Sequence, residues 1–227
     1  MLCVKHLSVS YGTHHVLRQL SFEAPKGKLL GILGLNGSGK TSLFRTLVGL
    51  QTATFKEMSW EGQALKTSQL AFLETENFFY DYMSGGEYLQ LIGANVTDIK
   101  HLNELFDLDL QAYASNYSSG MKKKLAFMRV LLQKRPILIL DEPFNGLDLE
   151  ASQTMTQIIK KVVPEKCILM SSHIFLTLTS LSDRIVHLEN GGFSASYEPD
   201  DYPSLADQLD EQYKQKVHQT LPKINLT

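Results

Sequence analysis

The sequence predicts an α/β fold in three parts: a core built on a parallel sheet, an antiparallel β subdomain at the N-terminus, and an inserted helical subdomain. Three observations carry this. Lys28–Leu33 (Lys-Leu-Leu-Gly-Ile-Leu) is an apolar run leading straight into the glycine-rich stretch Gly34–Thr41 and then an amphipathic segment. Ile137–Leu140 is a second continuous apolar run, the texture of a strand buried on both faces. From Ser84 to about Leu132 the apolar residues recur at helical spacing, and no convincing strand interrupts them.

In chain order, Leu2–Val9 and Val16–Ala24 are strand-like and joined by the polar turn Ser10–His15. Pro25-Lys-Gly27 turns the chain into the strand Lys28–Leu33, and a helix is expected from about Thr41 to Val48. Ser59–Gly62 reads as a short strand and turn, and Gln69–Leu73 as a strand. In the helical stretch, Glu87–Ile92, Ile99–Phe106 and Gly120–Leu132 carry the apolar spacing. After the strand Ile137–Leu140, Leu149–Val163 reads as a helix stopped by Pro164, with strands at Cys167–Ser171 and Arg184–Leu188. Asn190-Gly-Gly192 is a hairpin turn, and the polar tail beyond Tyr202 (about 202–227) is helix-prone over Leu205–Val217. There is no internal repeat and no low-complexity linker.

Composition sets outer bounds. The chain has 227 residues, 43% of them hydrophobic, which suits one α/β domain or a domain with one inserted lobe. A net charge of −2 provides no global field for nucleic acid or an acidic membrane face, so no nucleic-acid partner is expected. Cys3 and Cys167 match no metal or redox spacing and lie in apolar runs, so buried reduced thiols and a cytoplasmic setting are expected. The N-terminus lacks signal-peptide architecture, and no apolar run is long enough to cross a bilayer. Any membrane role is therefore expected to come through a partner.

The stretch Gly34-Leu35-Asn36-Gly37-Ser38-Gly39-Lys40-Thr41 fits the phosphate-binding loop pattern, which with its strand and helix predicts a P-loop NTPase core. Glycines let the backbone curl so that successive N–H groups face an anion. Lys40 supplies a mobile positive charge for the β- and γ-phosphates, and the Thr41 hydroxyl suits Mg²⁺. The following helix, including Ser42, aims its positive dipole end at the same phosphates. A chance glycine-rich turn would lack this strand-before, helix-after context. Asp141 and Glu142 then end the strand Ile137–Leu140, where α/β sheets place their ligands. Asp141 suits the metal, directly or through its water, and Glu142 suits a base that orients the attacking water. An Asp-Glu-Pro turn can also be merely solvated; its pairing with the phosphate loop argues otherwise. No Asn-Lys-x-Asp base-reading motif is present, which counts against a GTPase.

With these motifs in place, the chain from Leu2 to about Phe193 resembles the nucleotide-binding subunit of an ATP-binding cassette (ABC) transporter. Tyr117-Ser118-Ser119-Gly120-Met121 resembles the family's Leu-Ser-Gly-Gly-Gln signature, Asn145-Gly-Leu-Asp148 its D-loop, and His173 its switch histidine. Tyr11 sits where the family stacks an aromatic ring on adenine, with Val16 flanking it. The resemblance implies a single ABC ATPase domain over residues 1–227, with the helical insertion at about 84–132. It implies ATP and Mg²⁺ as ligands, with Gly34–Ser42 holding the phosphates. It also implies an ATP-dependent dimer, here a homodimer, in which Ser118, Ser119 and Gly120 reach the γ-phosphate held by the other cassette and Asp148 bridges the subunits. His173 would contact the γ-phosphate beside Glu142. The second cassette and an integral membrane permease would be separate chains, placing this subunit at the cytoplasmic face. Tyr80–Leu89 resembles cassettes of export-type systems. The alternatives are a soluble ABC ATPase driving an assembly or translation complex, and a non-catalytic ABC-like module.

The departures from the family pattern are specific. Ser119 replaces the signature's first glycine and Met121 its glutamine; serine is small, so the turn is expected to survive. Leu73–Tyr80 resembles the Q-loop region but contains no glutamine, and counting back from Tyr80 puts Thr75 at that position, between Glu74 and Glu76. Thr75 is the third candidate metal residue. Its side chain is shorter than glutamine, so its hydroxyl is expected to fall short without backbone movement or a bridging water, leaving a loosened coupling element. Phe78, Phe79, Tyr80 and Tyr82 form an aromatic cluster that fits either a permease anchor or ordinary core. Lys122-Lys-Lys124 reads as a solvated face.

Overall fold

Side-chain alternation decides the N-terminal sheet. In the computed structural model, which describes residues 1–206 together with 211, 214 and 215, Leu2, Val4, Leu7 and Val9 are buried on β1 (Leu2–Tyr11). Leu17, Leu20, Phe22 and Ala24 are buried on the antiparallel β2 (His14–Ala24). The steps from Val4 to Leu7 and from Leu17 to Leu20 break the period of two. Bulges absorb them: the register shifts there, and His6 and Gln19 take left-handed backbone at φ 54 and 46. β4 (Glu57–Trp60) and β5 (Gln63–Ala64) complete the sheet in the order β2-β1-β4-β5, with Glu61 and Gly62 as the turn.

The central sheet has the order β10-β9-β3-β8-β7-β6. Its strands are β3 (Lys28–Leu33), β6 (Leu70–Leu73), β7 (Ile137–Asp141), β8 (Cys167–Ser172), β9 (Arg184–Glu189) and β10 (Gly192–Tyr197). All neighbours run parallel except the β9–β10 hairpin, closed by Asn190 and Gly191 at φ 50 and 81. Successive residues of β7 feed different cores. Ile137 and Ile139 pack with the N-terminal sheet and with α1 (Lys40–Leu47), whereas Leu138 and Leu140 pack toward the helical insertion. Both faces being covered, the strand reads as an unbroken apolar run.

The insertion comprises α2 (Gly85–Gln90), α3 (Val96–Asn103) and α4 (Ser119–Leu132). The first two lie a few residues N-terminal to their expected positions, because caps rather than apolar spacing set the ends. Ser84 and Glu87 form a capping box and Gly93 turns out at φ 70; Asn95 caps α3, and Asp107 follows it at φ 49. After β7 come α5 (Leu149–Val162) and α6 (Phe175–Thr179). The sequence reading omits α6, a five-residue helix, while the hairpin turn at Asn190–Gly192 implies a return strand, which β10 supplies as a half-exposed edge strand. The expected helix over Leu205–Val217 is helical at 202–206 and at the three isolated described positions; the rest lies outside the described residues. Cys3 and Cys167 are free and buried, and burial pushes the Cys167 thiol up to about 12. Among the described residues no helix is long and apolar enough to cross a membrane.

Candidate functional site

The site forms where β3 and β7 end. β3 passes into the phosphate loop, in which Gly37 and Gly39 take φ of 84 and 107. A Cβ on Gly39 would come within 2.7 Å of Leu17 Cδ2 and 3.2 Å of Val16 Cγ1, so only glycine fits beneath β2. The loop starts the eight-residue helix α1, and Ser38 Oγ is buried without a hydrogen-bond partner among the described residues, an orphaned donor in a phosphate cradle. Lys40, 6% exposed, donates to Gly34 O at 2.7 Å and Leu35 O at 3.2 Å and lies 3.5 Å from Glu142 Oε1.

Asp141 is the hub. Its Oδ2 accepts from Thr41 Oγ1 at 2.6 Å and from Thr75 Oγ1 at 2.9 Å, while Oδ1 accepts from Ser171 Oγ at 2.5 Å. The Thr75 hydroxyl, expected to fall short of the metal and water region, reaches the metal-side carboxylate of Asp141 directly. β6 runs parallel beside β7, and the loop after Leu73 passes close enough for a short side chain to span the distance to the carboxylate. Thr41, Thr75 and Asp141 thus gather hard oxygen donors at one point, a set that fits Mg²⁺.

Glu142 sits beside the hub in left-handed backbone at φ 48. Its N–H donates to Ser171 Oγ at 3.0 Å, and its Oε2 lies 3.0 Å from His173 Nδ1. The carboxylate is thereby held between a lysine and a histidine with Oε1 free of any hydrogen bond. Ser171 was missed by sequence reasoning. Asp141 and Ser171 are register partners on β7 and β8, a tertiary fact whose only local trace is a Ser-Ser pair ending an apolar strand.

Tyr11 is half exposed with its hydroxyl 3.3 Å from Ser42 Oγ. A cleft of about 860 Å³ opens alongside, lined by Val16, Leu35, Asn36, Gly37 and Ser38, and by His14, His15, Arg18 and the β9–β10 turn. Its size suits a nucleotide-sized ligand, and Tyr11 lies outside its lining. The sequence had not singled out His14, His15 or Arg18, which sit on the β1–β2 hairpin.

The signature residues stand apart from this cluster. Ser118 caps α4 by accepting from Met121 N at 3.2 Å, and a Cβ on Gly120 would meet Gly146 O of the D-loop turn at 3.0 Å. The turn survives with Ser119 in place, as expected. Asp148 caps α5 by accepting from Ala151 N at 2.7 Å, and its other oxygen is 3.9 Å from Lys124 Nζ. The solvated-face reading of Lys122–Lys124 is corrected at Lys123, which is buried and donates to Thr75 O at 2.8 Å and Glu74 O at 3.1 Å. The face of α4 that carries it packs on β6, so the stem is covered and the head finds carbonyls. Burial lowers the pKa of its ammonium, against the pull of Asp141 and Glu142. The aromatic cluster divides: Phe79 packs beside Tyr88 at a ring distance of 4.9 Å, while Phe78, Tyr80 and Tyr82 are exposed.

A phosphate loop and a carboxylate pair at neighbouring strand tips, with a helical insertion returning to the same sheet, are the organisation of an ATP-binding cassette. The family model described as ABC transporter matches residues 17–145, and the chain belongs to that family. It is 29% identical over 223 residues to the lantibiotic transport ATP-binding protein SrtF of Streptococcus pyogenes, covering 93% of this chain and 97% of SrtF. Identity to the uncharacterized ABC transporter ATP-binding protein YdbJ of Bacillus subtilis is 28% over 211 residues, with 86% and 68% covered. A solved structure titled as the ATP binding subunit of an ABC transporter superposes with a TM-score of 0.83 at 28% identity, covering 95% of this chain and 98% of that one. The chain is an ATP-binding, ATP-hydrolysing subunit of this family.

Proposed function

We propose that this subunit hydrolyses MgATP as one of two cassettes closed face to face, and that the closure drives a membrane permease docked on the helical insertion. Lys40 and the N–H groups of Gly37–Thr41 hold the β- and γ-phosphates at the N-terminus of α1. Thr41, Asp141 and Thr75 face the metal side, where Mg²⁺ neutralises phosphate charge when bound. Glu142 accepts the proton of a water attacking the γ-phosphorus, as the bond to the leaving β-phosphate oxygen breaks and ADP and phosphate separate. His173 orients the Glu142 carboxylate through Nδ1 and faces the same γ-phosphate. Ser118, Ser119 and Gly120 complete the site of the opposing cassette, with Asp148 at the joint. Tyr11 and Val16 flank the base.

The observation that carries this reading is the placement of Glu142, whose two oxygens face Lys40 and His173 at 3.5 and 3.0 Å. A carboxylate so held is oriented rather than free to swing. The exposed Phe78, Tyr80 and Tyr82 support permease docking, which would hold the subunit at the cytoplasmic face of the membrane. The full-length likeness to a lantibiotic transport subunit supports a transport role.

Glu142→Gln tests the scheme. The amide keeps the volume but cannot accept the proton, so the variant is expected to lose turnover and to accumulate an ATP-bound dimer, read by size-exclusion chromatography with and without MgATP. A variant that stays monomeric and fully active would refute both the base and the paired cassettes.

A further inference from the structure

Only two lysines are buried among the described residues, Lys40 and Lys123. Lys40 serves the phosphates. Lys123, 5% exposed, spends its ammonium instead on two main-chain carbonyls, Glu74 O and Thr75 O. The second of those belongs to the residue whose hydroxyl donates to Asp141 Oδ2. A second cation of α4, Arg129, holds β6 itself just ahead of that loop, its Nη2 donating to Phe72 O at 3.2 Å. β6 and the loop after it are thus tied to α4 by charged donors, and the loop is tied to Asp141 by the Thr75 hydroxyl. Burying an ammonium is costly unless it is hydrogen-bonded, so these carbonyls fix Lys123 and Lys123 fixes them.

We propose that Lys123 is a positioning residue for the metal side of the site: by clamping the Glu74 and Thr75 carbonyls it sets the Thr75 hydroxyl on Asp141, and so tunes the affinity for the nucleotide-bound Mg²⁺. This rests on reading Thr41, Asp141 and Thr75 as the metal side. Outer residues that orient metal-facing groups commonly account for about tenfold or more in metal affinity.

The test compares the dissociation constant of a fluorescent ATP analogue with and without Mg²⁺, a readout that needs no turnover, alongside the half-saturating Mg²⁺ concentration for hydrolysis. Lys123→Met keeps the apolar stem and removes the donors. It is expected to lose about tenfold of the Mg²⁺-dependent gain in affinity, while Mg²⁺-free binding holds within about twofold. Lys123→Arg, which keeps a cation and several donors, restores most of the loss. Combined with Thr75→Val, Lys123→Met adds little, because both act through one hydroxyl. The proposal is overturned if Lys123→Met retains the full Mg²⁺-dependent gain, if binding falls equally with and without the metal, or if the two substitutions add in full. Should Lys123→Met not fold, Lys123→Leu, which also fills the apolar space and has no donor, carries the same expectation. Asp141→Asn run in parallel separates the two failures: if it too keeps the Mg²⁺-dependent gain, the metal-side reading is what falls.

Discussion

Ser171 does two jobs with one hydroxyl: Oγ donates to Asp141 Oδ1 and accepts from the Glu142 N–H. Removing it strands two buried groups in a site with little water access, each costing about 1–3 kcal/mol. Ser171→Ala is therefore expected to lower the melting temperature and, more tellingly, to lower kcat with little change in the affinity for Mg²⁺-free ATP. Loss of stability alone, with wild-type turnover per folded molecule, would show that Asp141 and Glu142 hold their places unaided. The reach of Thr75 and the burial of Lys123 belong to the same scale. Local sequence gives side-chain length and charge, but how near a loop passes to a carboxylate depends on the parallel pairing of β6 with β7.

At the scale of elements, apolar spacing identified nearly every strand and helix while leaving their ends open. The motifs at Gly34–Thr41 and Asp141–Glu142 were legible because each is continuous in sequence. Ser171 and Lys123 were not, because their partners lie on other strands or loops. α4 illustrates the point. Its apolar positions mark the buried face, yet its start is set by Ser118, whose hydroxyl takes the Met121 N–H. Ser118→Ala is expected to cost about 1 kcal/mol through the lost cap, seen as a small fall in melting temperature. In the proposed pairing this turn completes the opposing cassette's site, so ATP-dependent dimerisation should weaken by more than that fall explains. Equal losses in both measurements would reduce Ser118 to a helix cap.

For the whole molecule, the central sheet divides two cores, one shared with the N-terminal strands and α1, the other with the helical insertion. Three aromatics at the entrance to the insertion, Phe78, Tyr80 and Tyr82, belong to neither. Phe78 is 73% exposed and Tyr82 82%, against 54% for Tyr80. Rings this open contribute little to folding, but they offer large apolar area to a partner helix. Phe78→Ser combined with Tyr82→Ser is expected to leave thermal melting within about 3 °C, since each surface change falls within about 0.5 kcal/mol, and to abolish co-purification of the permease from membranes. Retained co-purification would move the docking site elsewhere. From sequence alone this cluster divided evenly between anchor and core, because four neighbouring aromatics cannot reveal which one turns inward; the fold sends Phe79 in, beside Tyr88.

The backbone at Glu142 carries a last consequence. A left-handed φ of 48 costs a side chain with a Cβ about 1 kcal/mol, and glycine pays none of it. Selection for durability alone would have placed glycine there and dispensed with a buried acid as well. Glu142→Gly is accordingly expected to melt no lower than the wild type, and by as much as a few degrees higher, while being inert as an ATPase; a marked fall in melting temperature would show that the contacts of the carboxylate outweigh the backbone strain. The working chain then stands slightly below its attainable stability, and the difference is located at one φ angle, that of the proposed base.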